Sequence, residues 1–127
     1  MEEITADVNW LAVAVGAVLA YLLGYLWYSP KLFGKKWAEG VDLKQAPENL
    51  PVAAMVMQAA GTFLLAWVVG VTAADNALLT VILVVATTVA LMLAGSLFTQ
   101  KSRYAMFTEA GFVVTMAAIM IAVQGLL

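Results

Sequence analysis

The chain consists mainly of long apolar stretches separated by short polar segments. Four stretches reach the length of about 20 residues that an α-helix needs to cross a hydrocarbon core of about 30 Å. Strands of a membrane β-barrel would alternate between apolar and polar positions, whereas these stretches are apolar without alternation, which indicates helices. The predicted spans are residues 10–28, 52–74, 77–100 and 104–127.

The connections between the spans predict how the helices are arranged. The second and third spans are joined around Asp75 and Asn76, and the third and fourth around residues 101–103. Links this short require antiparallel neighbours. Only the first connection, residues 29–51, is long. We therefore expect a single all-α transmembrane domain covering residues 1–127, an integral membrane four-helix bundle with up-down topology.

The composition indicates a chain that is solvated by lipid. Of the 127 residues, 65% are hydrophobic and 11% are charged. Soluble domains have roughly 45–50% apolar and about 25% charged residues, and a soluble fold of this size could not bury so much apolar surface. The N-terminal segment carries acids and no Lys or Arg, unlike a secretory signal peptide, so we expect the first span to remain in the mature protein.

All positively charged side chains fall on one side of the predicted bundle. They lie in the first and third connections, and the N-terminal segment, the second connection and the C-terminus contain none. Lys and Arg concentrate on the cytoplasmic side of membrane proteins. We therefore expect the first and third connections, which we call loops 1 and 3, to lie in the cytoplasm. Both termini of this multi-pass protein would then lie outside the bacterial inner membrane. The basic residues are Lys31, Lys35, Lys36, Lys44, Lys101 and Arg103.

The missing residue types restrict the chemistry. The sequence has no His and no Cys, which removes the commonest ligands of haem, zinc and iron–sulfur clusters and the usual nucleophiles and proton carriers. The spans also lack paired carboxylates, so we predict no catalytic residue, no metal, no cofactor and no enzymatic activity. The net charge of −2 provides no field that would attract nucleic acid.

Small residues recur every four positions along the first span. A stripe of this kind lets another helix approach closely and gain dispersion contacts. Packing inside one bundle would explain the stripe, and so would a seam between two copies of the chain. This helix-packing stripe consists of Ala12, Gly16, Ala20 and Gly24. Shorter stripes in the second and third spans consist of Thr62, Ala66 and Gly70, and of Ala86, Ala90 and Ala94.

Polar residues inside the spans gather near the predicted cytoplasmic boundary. At a rise of 1.5 Å per helical residue, they lie within roughly 10 Å of that boundary. We expect them to be able to meet in one intramembrane polar layer. Its members are Tyr25, Gln58, Ser96 and Glu109.

Glu109 is the only charged residue inside the spans. An ionised carboxylate in hydrocarbon costs several kcal/mol, so it must find partners, face a wet cavity or be protonated. Three interpretations follow. Glu109 can be a structural pin that accepts hydrogen bonds from Gln58, a Tyr or a Thr. It can be a site of proton- or cation-coupled transport. It can also lie close to the interface and reach Lys101, Arg103 or a lysine of loop 1.

Loop 1 opens with a segment that predicts a short helix lying in the membrane surface. Residues 29–30, Ser-Pro, can end one helix and start another. In the following KLFGKKWAEG, Phe33 and Trp37 share a face, so the rings would enter the acyl boundary and the lysines would face phosphates. Gly34 is a poor helix former there, which predicts a close backbone approach to the fourth span or a partner. The predicted interfacial anchor or lipid contacts are Trp27, Tyr28, Lys31, Phe33, Lys35, Lys36 and Trp37.

This part of the sequence resembles the signature of a bacterial membrane-protein family known as domain of unknown function 1761. Members of that family are similar in length and in having four predicted spans. The resemblance implies the architecture but no activity, substrate or catalytic residue. It is carried by Asn9, Trp10, Gly24, residues 27–30, residues 32–35 and Trp37.

The sequence leaves two functions open. The first is a non-enzymatic, polytopic membrane protein that acts by helix packing, as a homo-oligomer or as a small subunit of a larger membrane complex, in contact with membrane lipid. The small-residue stripes favour it. The alternative is a small oligomeric transporter or channel that uses the intramembrane polar layer around Glu109.

Overall fold

The computed structural model describes residues 2–29, 31–40 and 52–127. Within these residues every regular element is an α-helix, which confirms the predicted all-α fold. Pro30, Lys44 and the end of loop 1 lie outside the described residues. The helices are α1 (Glu2–Thr5), α2 (Trp10–Trp27), α3 (Gly34–Gly40), α4 (Val52–Ala74), α5 (Leu78–Phe98) and α6 (Arg103–Leu126).

Helices α2, α4, α5 and α6 are long and apolar enough to cross a membrane. Side chains cap two of them in the way their sequences favour. The Asn9 Oδ1 atom accepts a hydrogen bond from the Ala12 amide at 3.1 Å, and the Ser102 Oγ atom accepts one from the Ala105 amide at 3.1 Å. Between α4 and α5 the chain reverses through Asn76, whose φ of 53° lies in the left-handed region that Asn tolerates well.

Helix α6 is the centre of the bundle. It packs against the three other long helices and also against α3. Helix α5, in contrast, buries only Val81 and Ser96 and presents most of its apolar side chains outward. The buried core consists of Val13, Ala20, Ala66, Val69, Val81, Phe112, Met116 and Met120.

The small-residue stripe of α2 lies against α6 inside the chain. A Cβ atom at Gly16 would lie 3.5 Å from the Met120 Cα atom, and one at Gly24 would lie 3.3 Å from the Phe112 ring. Ala12 and Ala20, the other two members of the stripe, are buried. This face of α2 is therefore already covered by α6 and is not open to a second copy.

The stripes of α4 and α5 differ from each other. In α4 the stripe is buried, since Thr62 and Ala66 are 3% and 1% exposed. In α5, Ala86 and Ala90 are exposed. Ala94 is half-buried, so the first two members of the α5 stripe face the surroundings of the chain and the third lies closer to its core.

Candidate functional site

The end of the bundle that carries α3 is built on a tight reversal after α2. The Phe33 amide donates a hydrogen bond to the Trp27 carbonyl at 3.2 Å, and the Gly34 amide donates one to the Ser29 carbonyl at 2.9 Å. A Cβ atom at Gly34 would lie 2.6 Å from the Tyr28 carbonyl carbon, closer than any side chain tolerates. The expected close approach at Gly34 therefore exists, but its partner is the preceding turn and not the fourth span.

The reversal turns the aromatic face of α3 toward the protein. The Trp37 ring packs edge-on against the Tyr28 ring at 5.0 Å, and Tyr28 in turn contacts Phe112 of α6 at 5.3 Å. The Phe33 ring lies 4.8 Å from that of Trp27. We call this set the aromatic cluster; its members are Trp27, Tyr28, Phe33, Trp37, Tyr104 and Phe112.

Glu109 lies beside the aromatic cluster and has three short polar contacts. The Trp37 Nε1 atom donates a hydrogen bond to Glu109 Oε2 at 2.8 Å. The Lys101 Nζ atom donates to Oε1 at 2.9 Å and to Oε2 at 3.0 Å, which makes the contact a salt bridge. The Glu109 side chain is 15% exposed. One carboxylate thus joins α3, the loop before α6, and α6 itself.

The phenol of Tyr28 is buried close to the charge of Glu109. Tyr28 follows the last residue of α2 and packs between Trp37 and Phe112. Burial raises the pKa of Tyr28 well above its ordinary value, and the negative charge of Glu109 raises it further. The Tyr28 phenol therefore stays protonated to a higher pH than an ordinary phenol, and its ring fills the space between Trp37 and Phe112.

Two hydrogen bonds to backbone carbonyls hold α2 and α3 to the start of α6. The Trp27 Nε1 atom donates a hydrogen bond to the Thr108 carbonyl at 2.9 Å, and the Ser102 amide donates one to the Gly40 carbonyl at 3.0 Å. A Cβ atom at Gly40 would lie 2.7 Å from the Ala105 Cβ atom. Gly40 therefore allows the end of α3 to lie directly on the start of α6, and Gly34 allows the tight turn before α3.

These residues fall within a stretch that matches a known family. The model of the family described as "Protein of unknown function (DUF1761)" matches residues 11–125. The chain belongs to the DUF1761 family. No curated protein matches the chain, and no solved structure does. The aromatic cluster and Glu109 of this DUF1761 protein lie inside the matched region.

The members of the predicted polar layer occupy different places in this DUF1761 protein. Ser96 is buried on α5, at 4% exposure. Gln58 is exposed on α4, where its Nε2 atom donates a hydrogen bond to Thr62 Oγ1 at 3.3 Å. Tyr25 is exposed on α2. Within the described residues no hydrogen bond joins any of the three to Glu109.

An apolar groove lies between α2 and α4 next to Gln58. Its volume is about 240 Å³, and it is open to the outside of the bundle. The Tyr21 hydroxyl at its edge donates a hydrogen bond to the Met55 carbonyl at 3.3 Å, and the Tyr25 ring packs edge-on against the Tyr21 ring at 5.7 Å. The groove is lined by Ala17, Val18, Tyr21, Leu22, Ala59 and Thr62.

The lysines of α3 and of the turn before it are exposed, and one of them contacts a ring of the aromatic cluster. Lys31, Lys35 and Lys36 are exposed, and the Lys36 Nζ atom lies 5.4 Å from the centre of the Tyr104 ring. That distance allows a cation–π attraction between α3 and the start of α6. The basic residues of the two loops that the structure describes are therefore brought to one end of the bundle.

Phe112 is a member of the cluster that the sequence did not predict, and Lys101 was predicted only as one possible partner of Glu109. A signal for Phe112 was present. It follows Glu109 by three positions, a spacing that puts two side chains on the same face of a helix. Chemically, the carboxylate already has a cation and an indole N–H as partners, so it is suited to holding elements together.

Proposed function

We propose that this protein acts by helix packing, as a homo-oligomer or as a small subunit of a larger membrane complex, and that it catalyses no reaction. The proposal rests on the contacts made by Glu109, the one acid inside the predicted spans. Its carboxylate is bound by Trp37 Nε1 and Lys101 Nζ at 2.8–3.0 Å. A carboxylate held in this way fastens structural elements, which is a scaffold role.

A coupled transporter would use the same carboxylate differently. The acid has to gain and lose a proton or cation, so it needs a route to water and polar neighbours that can guide the ion. Of the other polar residues of the predicted layer, Gln58 lies exposed on α4, Tyr25 lies exposed on α2, and Ser96 is buried on α5. This separation favours packing over transport.

Proteoliposomes distinguish the two functions. We expect the wild-type protein to carry no proton- or cation-linked flux above that of empty vesicles. We expect Glu109→Gln to leave this baseline unchanged and to lower the stability of the purified protein. A flux that the wild-type protein supports and Glu109→Gln abolishes, with the variant still folded, would establish transport and overturn the proposal.

We also propose that the end bearing α3 faces the cytoplasm of a bacterial inner membrane and that both termini lie outside. The exposed lysines of that end support this orientation through the positive-inside rule. The chain has no native Cys, so single cysteines can be labelled without background. In intact cells, an impermeant maleimide should label Asp75→Cys and should not label Glu39→Cys; the reverse pattern would invert the orientation.

Membrane lipid is the further partner that we propose. Lys31, Lys35 and Lys36 are exposed just beyond the end of the first predicted span, where basic side chains can reach lipid phosphates. Native mass spectrometry should show that replacing all three by Gln lowers the retention of anionic phospholipid. Replacing Glu2 and Glu3 by Gln at the other end of the bundle is the control and should leave retention unchanged. Equal retention by the lysine variant would refute the lipid contact.

A further inference from the structure

One polar side chain of α4, that of Gln58, is exposed on the outside of the bundle. Gln58 lies six residues after Val52, the first residue of α4, and hence roughly 9 Å along the helix. The side chain is exposed, and its only hydrogen bond within the described residues runs to Thr62 of the same helix at 3.3 Å. The amide oxygen has no hydrogen-bond partner in that part of the structure.

This position is costly in a membrane. An amide that cannot form its hydrogen bonds in hydrocarbon loses several kcal/mol, because no water is present to replace them. An acyl chain offers neither a donor nor an acceptor. The occupant of this surface must therefore bring both to the depth of Gln58.

The surface around Gln58 allows another helix to come close. Ala54 and Gly61, four residues before and three after, share its face of α4 and are exposed. A Cβ atom at Gly61 would meet no other atom within 4 Å. The groove of about 240 Å³ between α2 and α4 adjoins this face and leaves room for side chains of the occupant.

A second copy of the chain fits these requirements. A carboxamide is self-complementary, since its N–H group donates to the oxygen of an identical amide. All copies inserted with the same orientation place Gln58 at the same depth, so a two-fold axis along the membrane normal brings the two amides together. We propose that the face of α4 formed by Ala54, Gln58 and Gly61 is a homodimer seam in which the two Gln58 amides bond to each other.

This seam specifies the surface of the homo-oligomer proposed above and rests on that function. The exposed stripe of α5, with Ala86 and Ala90, offers equally small residues. It lacks a polar side chain that needs a partner in the membrane. The two surfaces therefore form a matched pair for an experiment.

Cysteine crosslinking in native membranes compares the two surfaces directly, because the chain has no Cys of its own. We expect Ala54→Cys and Gly61→Cys to form a disulfide-linked dimer, twice the 13.5 kDa of the chain, when oxidised with copper phenanthroline. Ala86→Cys and Ala90→Cys on α5 are the controls and should remain uncrosslinked. Disulfides at α5 alone would overturn the seam and still leave the protein an oligomer.

A second variant measures the contribution of the amide. Interhelical hydrogen bonds in membranes are weak to moderate, so Gln58→Leu should raise the apparent dissociation constant of the dimer by roughly threefold to tenfold. Energy transfer between labelled copies in liposomes measures this constant. Asn keeps the amide group, so Gln58→Asn should dissociate less than Gln58→Leu.

Other outcomes contradict the seam in distinguishable ways. A Gln58→Leu variant that associates as tightly as wild type shows that the amide pair does not form. A disulfide between Gly61→Cys and a different protein overturns the second copy as occupant and supports the complex-subunit form of the proposed function. A lone monomer in native membranes, with no partner of any kind, overturns the seam and the proposed function together.

Discussion

Replacing Gly34 by Ala tests the docking of α3 most sharply. The added methyl carbon would lie 2.6 Å from the Tyr28 carbonyl carbon and 2.9 Å from that of Ser29. Carbon atoms normally approach to about 3.5–4.0 Å, so the turn would have to open by about 1 Å. The atoms in the way belong to the backbone and cannot rotate aside as a flexible side chain would.

The expected cost follows from these distances. Overpacking of this kind costs about 1–3 kcal/mol, and the gain of about 0.5–1 kcal/mol for Ala over Gly in a helix offsets part of it. We expect a net loss of about 1–2 kcal/mol, with α3 separating from α6 to relieve the clash. The structure would lose the hydrogen bond from Trp37 to Glu109 at the same time.

Amide hydrogen exchange of α3 in detergent micelles measures this local opening. A loss of about 1–2 kcal/mol should make residues 35–40 exchange roughly five- to thirtyfold faster. Gly95→Ala is the matched control, because a Cβ atom at Gly95 meets nothing within 4 Å. If α3 is protected from exchange as well in Gly34→Ala as in Gly95→Ala, the tight turn at Gly34 does not exist.

Two further substitutions test individual contacts. Trp37→Phe keeps a ring but removes the indole donor to Glu109, a hydrogen bond to a charged group; it should destabilise the protein by about 1–2 kcal/mol in unfolding by dodecyl sulfate, and an unchanged midpoint would contradict the contact. A Cβ atom added at Gly16 would lie only 3.5 Å from the Met120 Cα atom, so the larger side chain of Gly16→Leu cannot fit. This variant should separate α2 from α6 and lower the thermal unfolding temperature. Gly16→Ala makes an ordinary contact and should be tolerated.

Much of the architecture follows from the sequence because lipid imposes a simple rule. An apolar run long enough to cross hydrocarbon has to be a helix, since its backbone groups have no other partners there. Helix α4 accordingly begins at Val52 and ends at Ala74, where the apolar run does. The contact between Glu109 and Lys101 was among the predicted alternatives, because few cations lie within reach of that acid.

Which face of each helix points inward could not be predicted in the same way. Helices α4 and α5 are apolar on all sides, so their sequences do not distinguish lipid from core. Gln58 was expected to be able to reach the other polar residues and instead lies on the surface of α4. The sequence also does not tell whether the rings near α3 face lipid or protein, because Phe33 and Trp37 at helical spacing are suited to both.

The small-residue stripe of α2 is a case in which the structure identifies a helix neighbour that the sequence only implies. The spacing of Gly16 and Gly24 predicts a close helix neighbour without naming it. In the structure this neighbour is α6, whose Met120 packs against Gly16 and whose Phe112 packs against Gly24. With that face covered, self-association has to use another surface, and the face of α4 around Gln58 becomes the leading candidate.

The proposed packing with other membrane chains is tested most directly by the mass of the species released from native membranes into nanodiscs without detergent. We predict a defined multiple of the 13.5 kDa chain or a stoichiometric complex with another membrane protein. A species containing a single chain and only lipid, at every expression level, would contradict the account.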